Sequence, residues 1–284
     1  MQNTHSYCVR IAALAISSLF SLSSMAAENP EQMTEGISQN NTEVVGYKLG
    51  GSLTFGYESN IYDKDDHRSV RNLSWDLSLN SPINKQYKVY FLTGAYRALE
   101  DETGDFWNDS LIKLKRYSIY NFGESGTIDL SGQLTIPTSE ASRDDDLQTA
   151  LRIDLPVGFK VWEADISVSP RIRKNFHQYK TAGGRSLTEW IYSLSMAADY
   201  SRNKFSTGVS ALVGNTVSYQ GTRRDTFDYG ASAYVEYQFT DVLSGSLSAS
   251  TSGFYTDAER GNLGDLELFD SDKAIFGASI SLSF

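Results

Sequence analysis

Between Leu187 and Tyr200 the side chains alternate almost without interruption: Trp190, Tyr192, Leu194, Met196, Ala198 and Tyr200 fall on one side, and Glu189, Ser193, Ser195, Ala197 and Asp199 on the other. A strand sends successive side chains to opposite faces, so this segment has one apolar and one wet face. The pattern recurs from Phe227 to Phe239, where Phe227, Tyr229, Ala231, Ala233, Val235, Tyr237 and Phe239 oppose Asp228, Gly230, Ser232, Tyr234, Glu236 and Gln238. Leu73, Trp75, Leu77 and Leu79 oppose Asn72, Ser74, Asp76 and Ser78, and Trp162, Ala164, Ile166 and Val168 oppose Glu163, Asp165, Ser167, Ser169 and Arg171. Strands of soluble sandwiches alternate too, but they usually end after about five or six residues. Length therefore decides between the two settings. Trp190 and Tyr200 are ten residues apart, which at about 3.3 Å per residue and roughly 40° tilt spans on the order of 25 Å. That is the height of the apolar band on a sheet that crosses a membrane.

Only strands can make the crossing. After Met25 no apolar stretch approaches the roughly 18 residues that a spanning helix needs. The N-terminus has one fixed positive side chain, Arg10, then an apolar run from Ile11 to Met25 and small residues at Ser24, Ala26 and Ala27. This predicts a secretory signal peptide over 1–26, cleaved after Ala26 or Ala27. The only cysteine, Cys8, would leave with it, so the mature protein would have no disulfide chemistry. The acidic, unpatterned stretch 27–43 reads as a flexible periplasmic lead-in, and 44–284 as one all-β domain. With 35 acidic against 25 basic side chains, a nucleic-acid partner is not expected.

Breaks between the alternating segments sort into short ones near Pro82, Glu124, Pro156, Asn203 and Asp241, and longer ones near Asp63, Glu102, Asp145, Lys180, Thr222 and Arg260. The two classes alternate along the chain, as they do when short periplasmic turns face longer external loops, and they count out about twelve strands. At the end, Phe276, Ala278, Ile280, Leu282 and Phe284 alternate with Gly277, Ser279, Ser281 and Ser283. This closing strand resembles the C-terminal signature of Gram-negative outer-membrane β-barrels. The resemblance covers Val44 to Phe284. It implies a transmembrane up-and-down antiparallel barrel in the outer membrane, among lipid and lipopolysaccharide, with Phe284 read by the barrel-assembly machinery. In size and strand count the chain is also similar to the oligosaccharide-specific porins that take up oligogalacturonate or sialic acid. The last strand is expected to pair with the first, Val44 to Tyr57, whose Tyr47, Leu49, Leu53 and Phe55 supply a matching apolar face.

The wet faces then line a lumen. Candidate lining residues are Lys113, Lys115, Arg152 and Arg171 on the basic side, with Asp76, Glu163, Asp165, Glu189, Asp199, Asp228 and Glu236 as the acids. Basic residues gather on the fourth, sixth and seventh strands and acids on the eighth and tenth, so one wall is expected to be basic and the facing one acidic. Asp129, Asp154, Glu163 and Asp165 fall on the basic side and equally well neutralise it in local pairs. The fourth strand is the hardest to orient. Facing Lys113 and Lys115 inward sends Arg116 toward lipid, at a cost of about 2–4 kcal/mol near the midplane, and a bulge or shifted boundary relieves that.

Acidic loop clusters (Asp63/Asp65/Asp66, Glu100/Asp101/Glu102, Asp144/Asp145/Asp146 and Asp257/Glu259) read as solvated loops, without the spacing of a defined calcium site. Two histidines follow the signal peptide, His67 and His177. A barrel phospholipase needs His-x-Ser on a lipid-facing strand, but His67-Arg68-Ser69 falls in a polar loop. Asp144-Asp145-Asp146 and Asp65-Asp66-His67 resemble the ingredients of an omptin-like protease in reversed chain order. No enzyme, cofactor or metal is therefore expected. The leading expectation is a passive channel for small hydrophilic solutes, among them oligosaccharides or charged sugars. The alternative is a closed structural or adhesive barrel presenting acidic external loops.

Overall fold

The computed structural model describes residues 49–255 and 274–284, apart from residues 65, 67, 101–102 and 225–226. The predicted signal peptide, the lead-in, Tyr47, His67, Asp65, Asp101, Glu102, Asp257 and Glu259 lie outside the described residues.

Twelve staves close one antiparallel barrel, the fold class that the alternation predicts. The first three are β1 (Gly50–Ser59), β2 (Arg71–Pro82) and β3 (Tyr87–Ala98). The fourth comes in two pieces, β4 (Gly104–Trp107) and β5 (Ser110–Phe122), both paired with β3. β6 (Gly126–Ile136) leads through the short helix α1 (Glu140–Asp144) to a divided sixth stave, β7 (Leu147–Asp154) and β8 (Val157–Val161). β9 (Ala164–His177) is followed by a loop hairpin of β10 (Thr181–Ala182) and β11 (Arg185–Ser186). The wall then continues through β12 (Thr188–Arg202), β13 (Phe205–Ser218), β14 (Phe227–Gln238), β15 (Leu243–Tyr255) and β16 (Ile275–Ser283).

Closure runs through the terminal strand. β16 pairs with β1 in the register Leu282↔Leu53 and Ile280↔Phe55, and Gly51 and Phe284 exchange both backbone hydrogen bonds, at 2.9 and 3.0 Å. The wall thus closes on itself around the whole ring of staves, the condition under which strands can stand in hydrocarbon.

Burial is inverted relative to a soluble protein. Leu247 is 61% exposed and Ile280 56%, whereas Arg152 is 3% exposed and Asp154 2%. Apolar side chains face outward and polar ones face inward, so the solvent around this wall is lipid. Rings edge the outward face at both ends. Trp75 meets Trp107 edge-on at 5.7 Å and Trp190 stacks with Tyr192 toward the long-loop end, while Tyr237 meets Phe239 at the short-turn end. Such girdles mark the two membrane–water interfaces.

Two local expectations are corrected. Pro156 makes no turn: it divides the sixth stave, because without an N–H it cannot continue the ladder. Its carbonyl accepts from Asp129 N at 2.8 Å, and Leu155 N donates to Pro170 O at 3.1 Å, so both neighbouring staves hold the break closed. The turn falls instead at Trp162–Glu163, where Trp162 has φ +54° and is 97% exposed. On β5, Arg116 does point outward while Lys113 and Lys115 are buried, but Arg116 pairs with Tyr87 beside the 83–86 turn and stacks over its ring at 5.7 Å. It therefore sits at the interface, where the charge costs little, and not at the midplane. The expected bulge follows it, between Arg116 and Tyr120, with Ser118 at φ +52°.

Candidate functional site

Inward positions follow from register. Asp154 pairs with Ser131 and with Arg171, Arg152 with Gln133 and Arg173, and Lys115 with Lys88 and Ser131, so these side chains share the lumen face. Continuing around the wall, Arg171 pairs with Ser193, Asp165 with Asp199, Gly214 with Asp228, and Ser206 with Glu236. Asp76, opposite Thr54 and Gly94, completes the ring.

The structure thus brings Lys113, Lys115, Arg152, Arg171, Asp76, Asp165, Asp199, Asp228 and Glu236 to inward positions. Two candidates go elsewhere. Glu163 lies on the exposed turn after β8, where it accepts from Tyr200 Oη at 3.2 Å. Glu189 sits in a register shift between Thr188 and Trp190. Its carboxylate lies 3.3 Å from Lys174 Nζ, an ammonium held on the outer face over the rings of Trp190 and Phe176 at 4.6 and 5.5 Å. The bulge turns what the alternation placed inward toward the outer girdle.

Charge is divided between the two halves. Lys88, Lys113, Lys115, Arg152, Lys160, Arg171 and Arg173 all face inward from the consecutive staves β3 to β9. Among the described residues, no Lys or Arg faces inward from β12 through β16, β1 and β2, which present Asp199, Asp228, Glu236, Glu58 and Asp76. Carboxylates on the basic half are bound locally: Lys115 Nζ is 3.3 Å from Asp129, Arg152 Nε 2.9 Å from Asp154, and Lys160 Nζ 3.2 Å from Asp165. The basic half therefore also contains local ion pairs. The pairs hold cations in place while the half keeps its sign.

The acidic half is also fixed. Tyr234 Oη donates to Asp199 Oδ1 at 2.8 Å, and the ring and carboxylate lie over Gly208, where a Cβ would collide with both. Between the acids the wall is hydroxylic: Thr54 and Ser281 hydroxyls meet at 2.9 Å, Ser246 and Ser279 at 2.7 Å, and Ser210 and Ser232 at 2.6 Å.

Sequence reasoning passed over Lys88, Tyr90 and Tyr117. The Tyr90 and Tyr117 hydroxyls meet at 2.6 Å in the midst of the lysines. On β3 the alternation is blurred, since Leu92 faces inward and Thr93 outward. The one signal that could have found them is the period-2 run Lys88, Tyr90 facing Lys113, Lys115 in an antiparallel pair.

At the long-loop end ion pairs hold the loops, one between two loops and one within a loop. Asp145 pairs with Arg185 at 2.9 Å and Asp66 with Arg68 at 2.8 Å. Among the described residues no three His, Cys, Asp or Glu side chains converge to hold a metal. His177 lies edge-on to Tyr219, ring centres 5.7 Å apart.

A closed twelve-stave wall with an apolar outer belt and a charged interior defines a transmembrane β-barrel of the outer-membrane type. Comparison with known proteins agrees. No family model matches the chain, and no curated protein does. Among solved structures it is similar to an outer-membrane channel from Pseudomonas putida F1, with TM-score 0.57, 12% identity, and 86% of this chain and 97% of that one covered. It is also similar to the NanC porin, with TM-score 0.55, 10% identity, and coverage of 82% and 98%. At these identities the likeness is one of fold.

Proposed function

We propose that this barrel is a passive channel for small hydrophilic solutes, and that charged sugars are the solutes its lumen suits best. The observation that carries this reading is the division of the lumen: seven inward cations on the staves from β3 to β9, and acids with hydroxyls on the rest. A solute crossing between the halves meets a transverse field, which orients dipoles, while hydroxyls and ammoniums replace its hydration. A lumen built only for shape would need its charges paired, with no reason to keep the two signs on opposite walls. The fold of the neighbouring channels supports the same reading. Termini and short turns would face the periplasm, and no covalent step is required.

The test is planar-bilayer recording of the refolded protein, wild type and Lys113→Glu/Lys115→Glu. A conducting wild type is expected, with the variant's reversal potential displaced toward cation preference. Unchanged ion selectivity would remove these lysines from the pathway. Silence at every voltage would favour a closed barrel, the reading to which the deep burial of Arg152 and Asp154 lends weight.

A further inference from the structure

Two tyrosines stand among the lysines at the short-turn end of the lumen. In register, Lys88 on β3 faces Lys115 on β5 and Tyr90 faces Lys113, with Tyr117 two residues beyond Lys115. Lys88 Nζ lies 4.9 Å and Lys113 Nζ 6.0 Å from the centre of the Tyr90 ring, and Lys115 Nζ lies 4.7 Å from that of Tyr117. The two phenol hydroxyls are hydrogen-bonded to one another at 2.6 Å, and Lys115 Nζ lies 3.3 Å from Asp129. The bulge at Ser118 lets β5 carry Tyr117 here, with Ser118 N donating to Asp129 Oδ1 at 2.7 Å. The neighbouring inward positions on β2 and β1 carry Ser78, Asn80 and Ser52, and both tyrosines are half-buried.

Attraction of anions needs only the lysines. The two rings, joined through their hydroxyls beside those lysines, add a different chemistry: their faces carry negative charge density and take a cation or the weakly positive C–H side of a saturated ring. We infer that Tyr90 and Tyr117, with Lys88, Lys113 and Lys115, form a subsite that selects anions bearing a ring over anions of equal charge without one. The carboxylate lies at the ammoniums while the carbon face of the ring lies on a tyrosine. This rests on the channel reading and adds to it which anions are held.

The experiment is single-channel recording with glucuronate and acetate as permeants, on wild type, Tyr90→Leu/Tyr117→Leu and Tyr90→Phe/Tyr117→Phe, with chloride selectivity measured on each. The leucine variant is expected to lower the glucuronate-to-acetate residence ratio by about three- to ten-fold, the size of one aromatic contact. Chloride selectivity should stay at the wild-type value, and the phenylalanine variant should keep the ratio because the rings remain. A conducting channel whose ratio the leucines leave unchanged overturns the subsite. So does a loss of chloride selectivity in step with the ratio, which would make the tyrosines mere splints for the lysines. A silent wild type would instead overturn the channel itself, and this inference with it.

Discussion

Asp154 is 2% exposed and serves three neighbours across three staves: Ser131 donates to Oδ2 at 3.0 Å, Arg152 Nη2 donates to the same oxygen at 3.3 Å, and Arg171 Nε lies 3.8 Å from Oδ1. Arg152 Nε is nearer still, 2.9 Å from Oδ1, but off the hydrogen-bond axis, so the contact there is coulombic. Removing the carboxylate leaves two buried guanidiniums facing one another without their shared anion. Breaking one partner of a buried pair typically costs about 3–5 kcal/mol, because a charge stays buried and uncompensated. Asp154→Asn should therefore destabilise the refolded barrel by about 3 kcal/mol in urea unfolding from lipid vesicles. A change below about 0.5 kcal/mol would show that lumen water already solvates the arginines. The pair Arg97–Asp105, at 2.6 Å but with both side chains 62% exposed, should be removable without measurable effect.

At the scale of the strand, the bulge on β5 matters more than its length suggests. Ser118 at φ +52° occupies the left-handed region, which costs a non-glycine residue roughly 1–2 kcal/mol and a β-branched one more. Ser118→Gly should keep the bulge, the Tyr90–Tyr117 contact and the wild-type stability. Ser118→Val should destabilise by about 1–2 kcal/mol and release Tyr117 from Tyr90. Tyrosine fluorescence together with the unfolding midpoint reads both effects, and a valine variant equal to wild type would mean the bulge tolerates other backbone geometry. The same feature shows what a sequence displays. Uninterrupted alternation from Trp190 to Tyr200 disclosed strand, length and facing together, because a period of two leaves only one way to turn an apolar face outward. Bulges add one residue and reverse the parity beyond them, so Glu189 was read inward although its carboxylate reaches Lys174 on the outer face. Pro156 looked like a turn because proline ends most ladders, yet contacts supplied by β6 and β9, remote in sequence, carry the stave through it.

Over the whole molecule, the barrel is one closed ladder, and its fold and compartment were legible in the sequence because every stave repeats the same message. The charge division was partly legible, since facing is local while pairing depends on which stave lies next door. Closure joins the first stave to the last. Gly51 and Phe284 exchange two backbone bonds, and the Phe284 ring lies close against Gly51 while remaining 64% exposed on the outer face. Two roles for that ring make different predictions. As a structural element it contributes little to the finished barrel, because its backbone bonds survive substitution and its exposed face meets lipid. As a recognition element for assembly it acts before the barrel exists. Phe284→Ala should therefore shift the unfolding free energy of purified, refolded protein by less than about 1 kcal/mol, while sharply lowering the amount of folded barrel recovered from the outer membrane of cells. Equal losses in both measurements would assign Phe284 to stability alone. Deletion of Phe284, which also removes both bonds to Gly51, should lower both, and comparing the two variants separates closure of the ladder from reading of its terminal ring.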